Sequence, residues 1–150
     1  MLNFSESMPY TKKTGFIGIE ISIKSHSKVP NFIKWFESQD NYVCNVKDKT
    51  GRRLVYCDPI HGSSVDTVVR ELCAKVNEFP NDVRLEWDQA DERFFHIGFE
   101  GGDNPQCYTQ DISMDSLKKL VSIGAYLKFS IYPAELTDED GIPQSFSQEN

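Results

Sequence analysis

The chain has 150 residues, 39% of them apolar and 26% charged, and a formal charge of −7. That length fits one domain able to bury roughly 70% of the surface its unfolded chain exposes, so folding needs no metal or disulfide. The acidic balance argues against nucleic acid or an anionic membrane surface as partner and leaves a basic protein as the better candidate.

Residues 1–13 read as a flexible polar lead. "MLNFSESMPYTKK" has no apolar core of signal-peptide length, and no later run approaches a membrane span. The expected compartment is therefore the cytoplasm. Residues 14–134 read as one domain and residues 135–150 as an acidic, flexible tail.

The domain opens on "GFIGIEISIKS", with Ile17, Ile19, Ile21 and Ile23 on one face and Gly18, Glu20, Ser22 and Lys24 on the other, which predicts a half-buried strand. "VPNFIKWFESQD" predicts a short helix. Pro30 suits its first turn, and Val29, Phe32, Ile33 and Phe36 recur at helical spacing. "YVCNVKD" and "LVYCD" predict a hairpin turning at Gly51. A second helix runs from about Ser64 to Phe79 on the stripe Val65, Val69, Leu72, Cys73 and Val76, and Pro80 ends it.

"VRLEWDQADERFFHIGFEGG", residues 83–102, then predicts a hairpin with "QADE" at its tip. Val83, Leu85 and Trp87 alternate with Arg84, Glu86 and Asp88, and Phe95, Ile97 and Phe99 alternate with His96 and Glu100. A long polar loop leads to Ser113 as N-cap of a third helix, with Met114, Leu117, Leu120 and Val121 inward and Gly124 closing it. "AYLKFSIYP" predicts the last strand, with Leu127, Phe129 and Ile131 inward.

The predicted order is β-α-β-β-α-β-β-α-β. Every strand alternates, which predicts an α+β fold: a mostly antiparallel sheet of about six strands with three helices on one face. The other face is open. It would carry Glu20, Ser22, Lys24, Arg84, Glu86, Asp88, His96, Glu100, Tyr126, Lys128, Ser130 and Tyr132.

Catalytic signals are sparse. Cys44, Cys57, Cys73 and Cys107 are separated by 13, 16 and 34 positions, which fits no zinc pattern. Packing as small reduced hydrophobes is the simpler reading. His26, His61 and His96 have no helical metal spacing, and a catalytic histidine would need a positioned partner. "YCDPIHG" brings Cys57, Asp58 and His61 close in sequence and could support a histidine-activated thiolate. A strand-ending turn explains the same residues more simply. No catalytic residue, metal site or cofactor is therefore assigned.

Charge patterning says more. Between Asp82 and Asp103 there are seven carboxylates (Asp82, Glu86, Asp88, Asp91, Glu92, Glu100, Asp103) against two arginines, a net −5. Such a run is either a solvated face or a docking surface for a basic partner, where charge chiefly speeds encounter. The candidate partner-binding residues are Glu86, Asp88, Asp91, Glu92, His96, Glu100, Asp103, Tyr126 and Lys128, with Tyr108 and Tyr132 as further aromatic anchors.

"LEWDQADERFFHIGFEGG" followed by "ISMDSLKKLVSIGAYLKFSIYPAE" resembles small bacterial immunity proteins of toxin–immunity systems, over about the last 70 residues. The resemblance is one of element order and carries over no binding residue. It implies a cytoplasmic, non-catalytic protein that binds and blocks one cognate toxin domain, often a basic nuclease. The alternatives are a small enzyme using Cys57, Asp58 and His61, or a structural subunit that forms a homodimer through its sheet.

Overall fold

A computed structural model describes residues 12–104 and 106–133. The elements in chain order are β1 (Gly15–Ser25), α1 (Pro30–Ser38), β2 (Val43–Lys47), β3 (Arg53–Cys57), α2 (Val65–Asn77), α3 (Asn81–Gln89), β4 (Glu92–Glu100), α4 (Met114–Ser122) and β5 (Tyr126–Tyr132). The fold is α+β. The five strands lie in the order β2-β3-β1-β4-β5. All pairs are antiparallel except β4–β5, which is parallel. The crossover through α4 returns the chain to run beside β4 in the same direction.

Two features of the expected fold are corrected. Residues 83–89 form helix α3 rather than a strand, which lowers the strands from six to five and raises the helices from three to four among the described residues. Val83 and Trp87 sit four apart and are both buried, whereas Leu85 is 55% exposed. A 3.6-residue period therefore governs, not alternation. Arg84, Glu86 and Asp88 consequently leave the sheet face. The expected tail, 135–150, lies outside the described residues. So does the expected lead, except for Lys12 and Lys13. Lys12 pairs with Glu100, and its carbonyl accepts from Asp103 and Asn104 at 3.0 and 3.2 Å.

The core sits between the sheet and the helices. Ile19, Ile21 and Ile23 of β1, Val55 and Cys57 of β3, and Phe95 and Ile97 of β4 meet Val65, Val68, Val69, Leu72, Cys73 and Val76 of α2. Ser64 starts α2 as expected, its hydroxyl accepting from Thr67 N–H at 3.2 Å. Trp87 of α3 packs against α1: its ring stacks on Phe32 at 6.3 Å and its indole N–H donates to Ile123 carbonyl at 2.9 Å. That bond satisfies the buried donor the indole brings into the core.

At the margins the inward pattern fails. On α4, Leu120 is buried, but Met114 and Val121 are 69% and 76% exposed. On β5, Phe129 and Ile131 are 55% and 72% exposed although they alternate as expected, because β5 is the edge strand. Gly124 takes the left-handed φ of 71° required of a residue closing a helix. Arg93 secures this corner, donating to Gly124 carbonyl at 2.9 Å and to the Asp88 and Trp87 carbonyls at 2.6 and 3.2 Å. A cation at these helix ends also opposes the negative pole of the helix dipole.

Candidate functional site

Alternation places a defined set of side chains on the sheet face away from the helices, and strand register arranges them in rows. Glu20, His96 and Lys128 line up across β1, β4 and β5. Gly18, Gly98 and Ser130 form the next row, and Cys44, Tyr56, Ser22, Phe94 and Tyr126 a third that spans the sheet. The expected open face is thus present for Glu20, Ser22, Lys24, His96, Glu100, Tyr126, Lys128, Ser130 and Tyr132, without the three residues that went to α3.

Phe94 is the unusual member. It is 2% exposed yet stands outside the main core cluster. Its cover is local: Tyr126 stacks on it at 5.2 Å, and the Lys24 and Lys128 ammonium groups lie 5.9 and 5.6 Å from its ring centre. A cation over the face of an aromatic ring is attracted by the ring's quadrupole.

His96 is held at both nitrogens. Nδ1 lies 3.2 Å from a Glu20 carboxylate oxygen and Nε2 lies 2.7 Å from the Ser130 hydroxyl. The small neighbours matter here. A Cβ on Gly98 would meet the Tyr132 ring at 3.4 Å, and one on Gly18 would meet Ile60 carbonyl oxygen at 3.0 Å and His61 at 3.1 Å. The glycine row is therefore a trough bordered by Tyr132 and by the loop carrying Pro59 to His61. A cleft of about 260 Å³ opens beside it, lined by Glu20, Ser22, Leu54, Tyr56, Phe94, His96, Lys128 and Tyr132.

The charges of the face are largely used within the chain. Glu92 pairs with Lys24 at 3.5 Å and Arg52 at 3.0 Å, and accepts from the Tyr126 hydroxyl at 2.8 Å. The Tyr126 bond, then Lys24 and Arg52, hold the Glu92 carboxyl below its ordinary range. Burial first and the Glu92 hydrogen bond second push the Tyr126 phenol up to about 12. A hydrogen bond with Cys44 is the first cause that raises the Tyr56 phenol to about 12.

The candidate contact residues therefore divide. Glu92, His96, Glu100, Tyr126 and Lys128 share the open face. Glu86 lies on α3, where it accepts from the N–H groups of Asn31 and Phe32. Asp88 pairs with Arg84 at 3.0 Å along the same helix. Asp91 pairs with His26 at 2.7 Å, and that bond is the first cause that lowers the Asp91 carboxyl. Asp103 is exposed in the loop after β4.

Of the 23 carboxylates, 17 fall within the described residues together with all 16 lysines and arginines, so that body carries a net charge of only −1. The other six carboxylates belong to the terminal segments, five of them to residues 134–150. The acidic character read from the whole chain is a property of its ends.

The Cys57, Asp58 and His61 cluster does not form a nucleophilic site. Cys57 is 2% exposed and faces the helices, and its burial raises the thiol far above the range in which a thiolate is available. His61 Nδ1 is engaged by Ile17 carbonyl at 2.6 Å. Among the described residues no group of His, Cys, Asp and Glu is placed to hold a metal ion, and no helix is long and apolar enough to cross a membrane.

A second concavity, about 310 Å³, lies where β5 outruns its helices, between Phe99, Tyr108, Ile112, Phe129 and Ile131. Its polar groups serve one another: Gln110 accepts from Val65 N–H at 3.1 Å and donates to the Tyr108 hydroxyl at 3.0 Å.

Sequence reading missed Glu20 and Ser130 as partners of His96, and missed Phe94 as a platform. The signal for Phe94 was local: in "RFFHIG" two adjacent phenylalanines cannot both face the core of an alternating strand. No family model, curated protein or solved structure matches this chain.

Proposed function

We propose that this chain is a non-catalytic binding protein of the immunity type, which docks a cognate toxin domain on the open face of its sheet. The observation that carries the proposal is that the sheet is covered by helices on one side only. Its other side presents Tyr126 and Tyr132, 44% and 49% exposed, beside a cleft whose floor is already packed. Tyrosines on a rigid strand supply contact area at small entropic cost, and such residues dominate interface energetics. The resemblance of the C-terminal half to immunity proteins points the same way.

Most of the carboxylates that pointed to a basic partner are already engaged. Glu86, Asp88, Asp91, Glu92 and Glu100 each have a partner within the chain. The proposal therefore rests on shape and aromatic exposure rather than on an acidic plug. The test is neutralisation in cells of the toxin domain encoded beside the chain's own gene. Tyr126→Ser with Tyr132→Ser should abolish protection while leaving the protein folded. Full protection by that variant would place the interface elsewhere.

A second, enzymatic reading is favoured by one observation, the Glu20–His96–Ser130 chain. Carboxylate on Nδ1 and hydroxyl on Nε2 is the contact order of an acyl-transfer triad. Such a serine also needs donors aimed at a developing oxyanion. A fluorophosphonate reagent decides the matter. Labelling of Ser130 that disappears in His96→Ala supports catalysis, and no labelling removes it.

A further inference from the structure

We propose that β5 pairs antiparallel with the β5 of a second copy of this chain, in a register centred on Phe129, so that two sheets join edge to edge. The inference stands apart from the toxin reading. It gives a homodimer formed through the sheet a defined edge and a defined register.

Among the described residues the outer edge of β5 is bonded to no strand. The backbone groups of β5 divide by parity. Tyr132 carbonyl accepts from Gly101 N–H at 2.6 Å, just past the end of β4, so Tyr132 turns its polar groups toward β4. The two-residue period turns those of Tyr126, Lys128 and Ser130 the same way and aims the N–H and C=O of Leu127, Phe129 and Ile131 outward. The seven residues of β5 include one charge, Lys128, and no proline, and Tyr126, Phe129, Ile131 and Tyr132 are exposed. An open edge of this composition is a template for another strand.

The sequence of β5 suits a copy of itself. In a two-fold antiparallel pair the residue on the axis faces its own counterpart. Outward-facing residues pair with outward-facing residues, so the axis must fall on a residue and not between two. With Phe129 on the axis, Leu127 faces Ile131 and every outward N–H and C=O of the three finds a partner. Their side chains form one apolar strip on the helix side, which covers the Phe129 and Ile131 that the chain's own helices leave exposed. On the open face Tyr126 faces Tyr132, and Lys128 faces Ser130. Moving the axis to Lys128 sets two like charges directly opposite, which is destabilising. Moving it to Ser130 sets Leu127 against Pro133, which has no N–H to give. Antiparallel pairing also sends the two Pro133 residues out at opposite ends, which separates the starts of the segments 134–150 with their five carboxylates each.

The experiment follows mass by sedimentation equilibrium and amide exchange by NMR on the full chain over a range of concentrations. Wild type should approach twice the chain mass as concentration rises, and the Leu127, Phe129 and Ile131 amides should gain protection over the same range. Phe129→Lys brings two ammonium groups together on the axis and should leave a folded monomer. Val46→Lys, on the opposite edge strand β2, should dimerise like wild type. In a Cys107→Ser background, oxidation should cross-link Phe129→Cys to its counterpart, since facing Cα atoms of a hydrogen-bonded pair lie about 5.5 Å apart, and should not cross-link Lys128→Cys. A monomer at every concentration with fast exchange of the three amides overturns the proposal. A monomer whose three amides are protected at every concentration gives the edge to a segment of the same chain and overturns the second copy. A dimer that persists in Phe129→Lys, or that is lost in Val46→Lys, overturns β5 as the contact. Cross-linking through Lys128→Cys in place of Phe129→Cys overturns the register. The wild-type amides give the answer even where Phe129→Lys does not fold.

Discussion

The carboxylate of Glu86 on α3 caps the N-terminus of α1, accepting from the backbone N–H of Phe32 at 2.7 Å and of Asn31 at 3.1 Å. Helix α1 needs this help because its own N-cap is Val29, which has no side-chain acceptor, followed by Pro30. The residue that sequence alternation places on a docking surface is thus an inter-helix cap. Glu86→Ala should lower stability by about 1–2 kcal/mol. Urea unfolding would register this as a lower midpoint at unchanged slope. An unchanged midpoint would mean that the cap is dispensable.

Asp66 makes the corresponding link between α2 and α4. It accepts from Ser113 N–H at 2.8 Å and pairs with Arg70 at 2.7 Å. The Ser113 backbone bond, then the Ser116 hydroxyl, hold its carboxyl down to about 2. The folded value lies below the ordinary value of about 3.9, so the folded state binds the proton less readily than the unfolded chain. The stability this carboxylate contributes is complete above the unfolded value and is lost as the pH falls through the folded one. Asp66→Asn should therefore be less stable than wild type at pH 7, and the gap should close as pH approaches about 2. A gap of constant size across that range would contradict the assignment.

Thiol reactivity should follow burial. All four cysteines are free, with Cys107 exposed, Cys44 intermediate, and Cys57 and Cys73 buried. Burial raises the Cys73 thiol to about 11 and the Cys57 thiol further. A disulfide reagent at pH 8 should modify Cys107 quickly and Cys44 slowly, and should reach the other two on unfolding. Rapid modification of Cys57 in the native protein would show that the β3 edge of the core opens.

The two glycines of the trough should respond differently to an added methyl. At Gly18 the new Cβ would press on Ile60 carbonyl oxygen at 3.0 Å, which belongs to the backbone bridge between Ile19 and Ile60. Gly18→Ala should cost about 1–3 kcal/mol. At Gly98 the nearest atom is on the Tyr132 ring at 3.4 Å, an ordinary contact. Gly98→Ala should be close to neutral, within about 0.5 kcal/mol. Equal losses at both positions would mean that the loop from Pro59 to His61 yields where Tyr132 does not.

Much of the fold was legible in the chain, and the failures have specific causes. The isoleucines of β1 and the stripe of α2 each match one period over many residues. In "VRLEWDQ" the evidence is ambiguous, since Val83 and Trp87 satisfy a two-residue and a four-residue repeat alike. Leu85 alone separates them, and a nine-residue helix tolerates one exposed leucine. Helical signals were available in Pro80, in Asp82 in the first turn and in the Arg84–Asp88 spacing. The parallel pairing of β5 could have been read from the helix between it and β4, because a crossover of that length permits it. The Glu20–His96–Ser130 chain could not be read, because it joins three strands whose register only the folded sheet establishes.

The central claim is that the open face of the sheet is the contact surface. Amide and side-chain NMR shifts of the isotope-labelled chain, recorded with and without the proposed toxin partner, test it most directly. The account predicts that the perturbations centre on His96, Tyr126, Lys128, Ser130 and Tyr132, with Leu54 and Tyr56 at the border and α1 to α3 unmoved. Perturbations confined to the helices, with these residues unchanged, would contradict it.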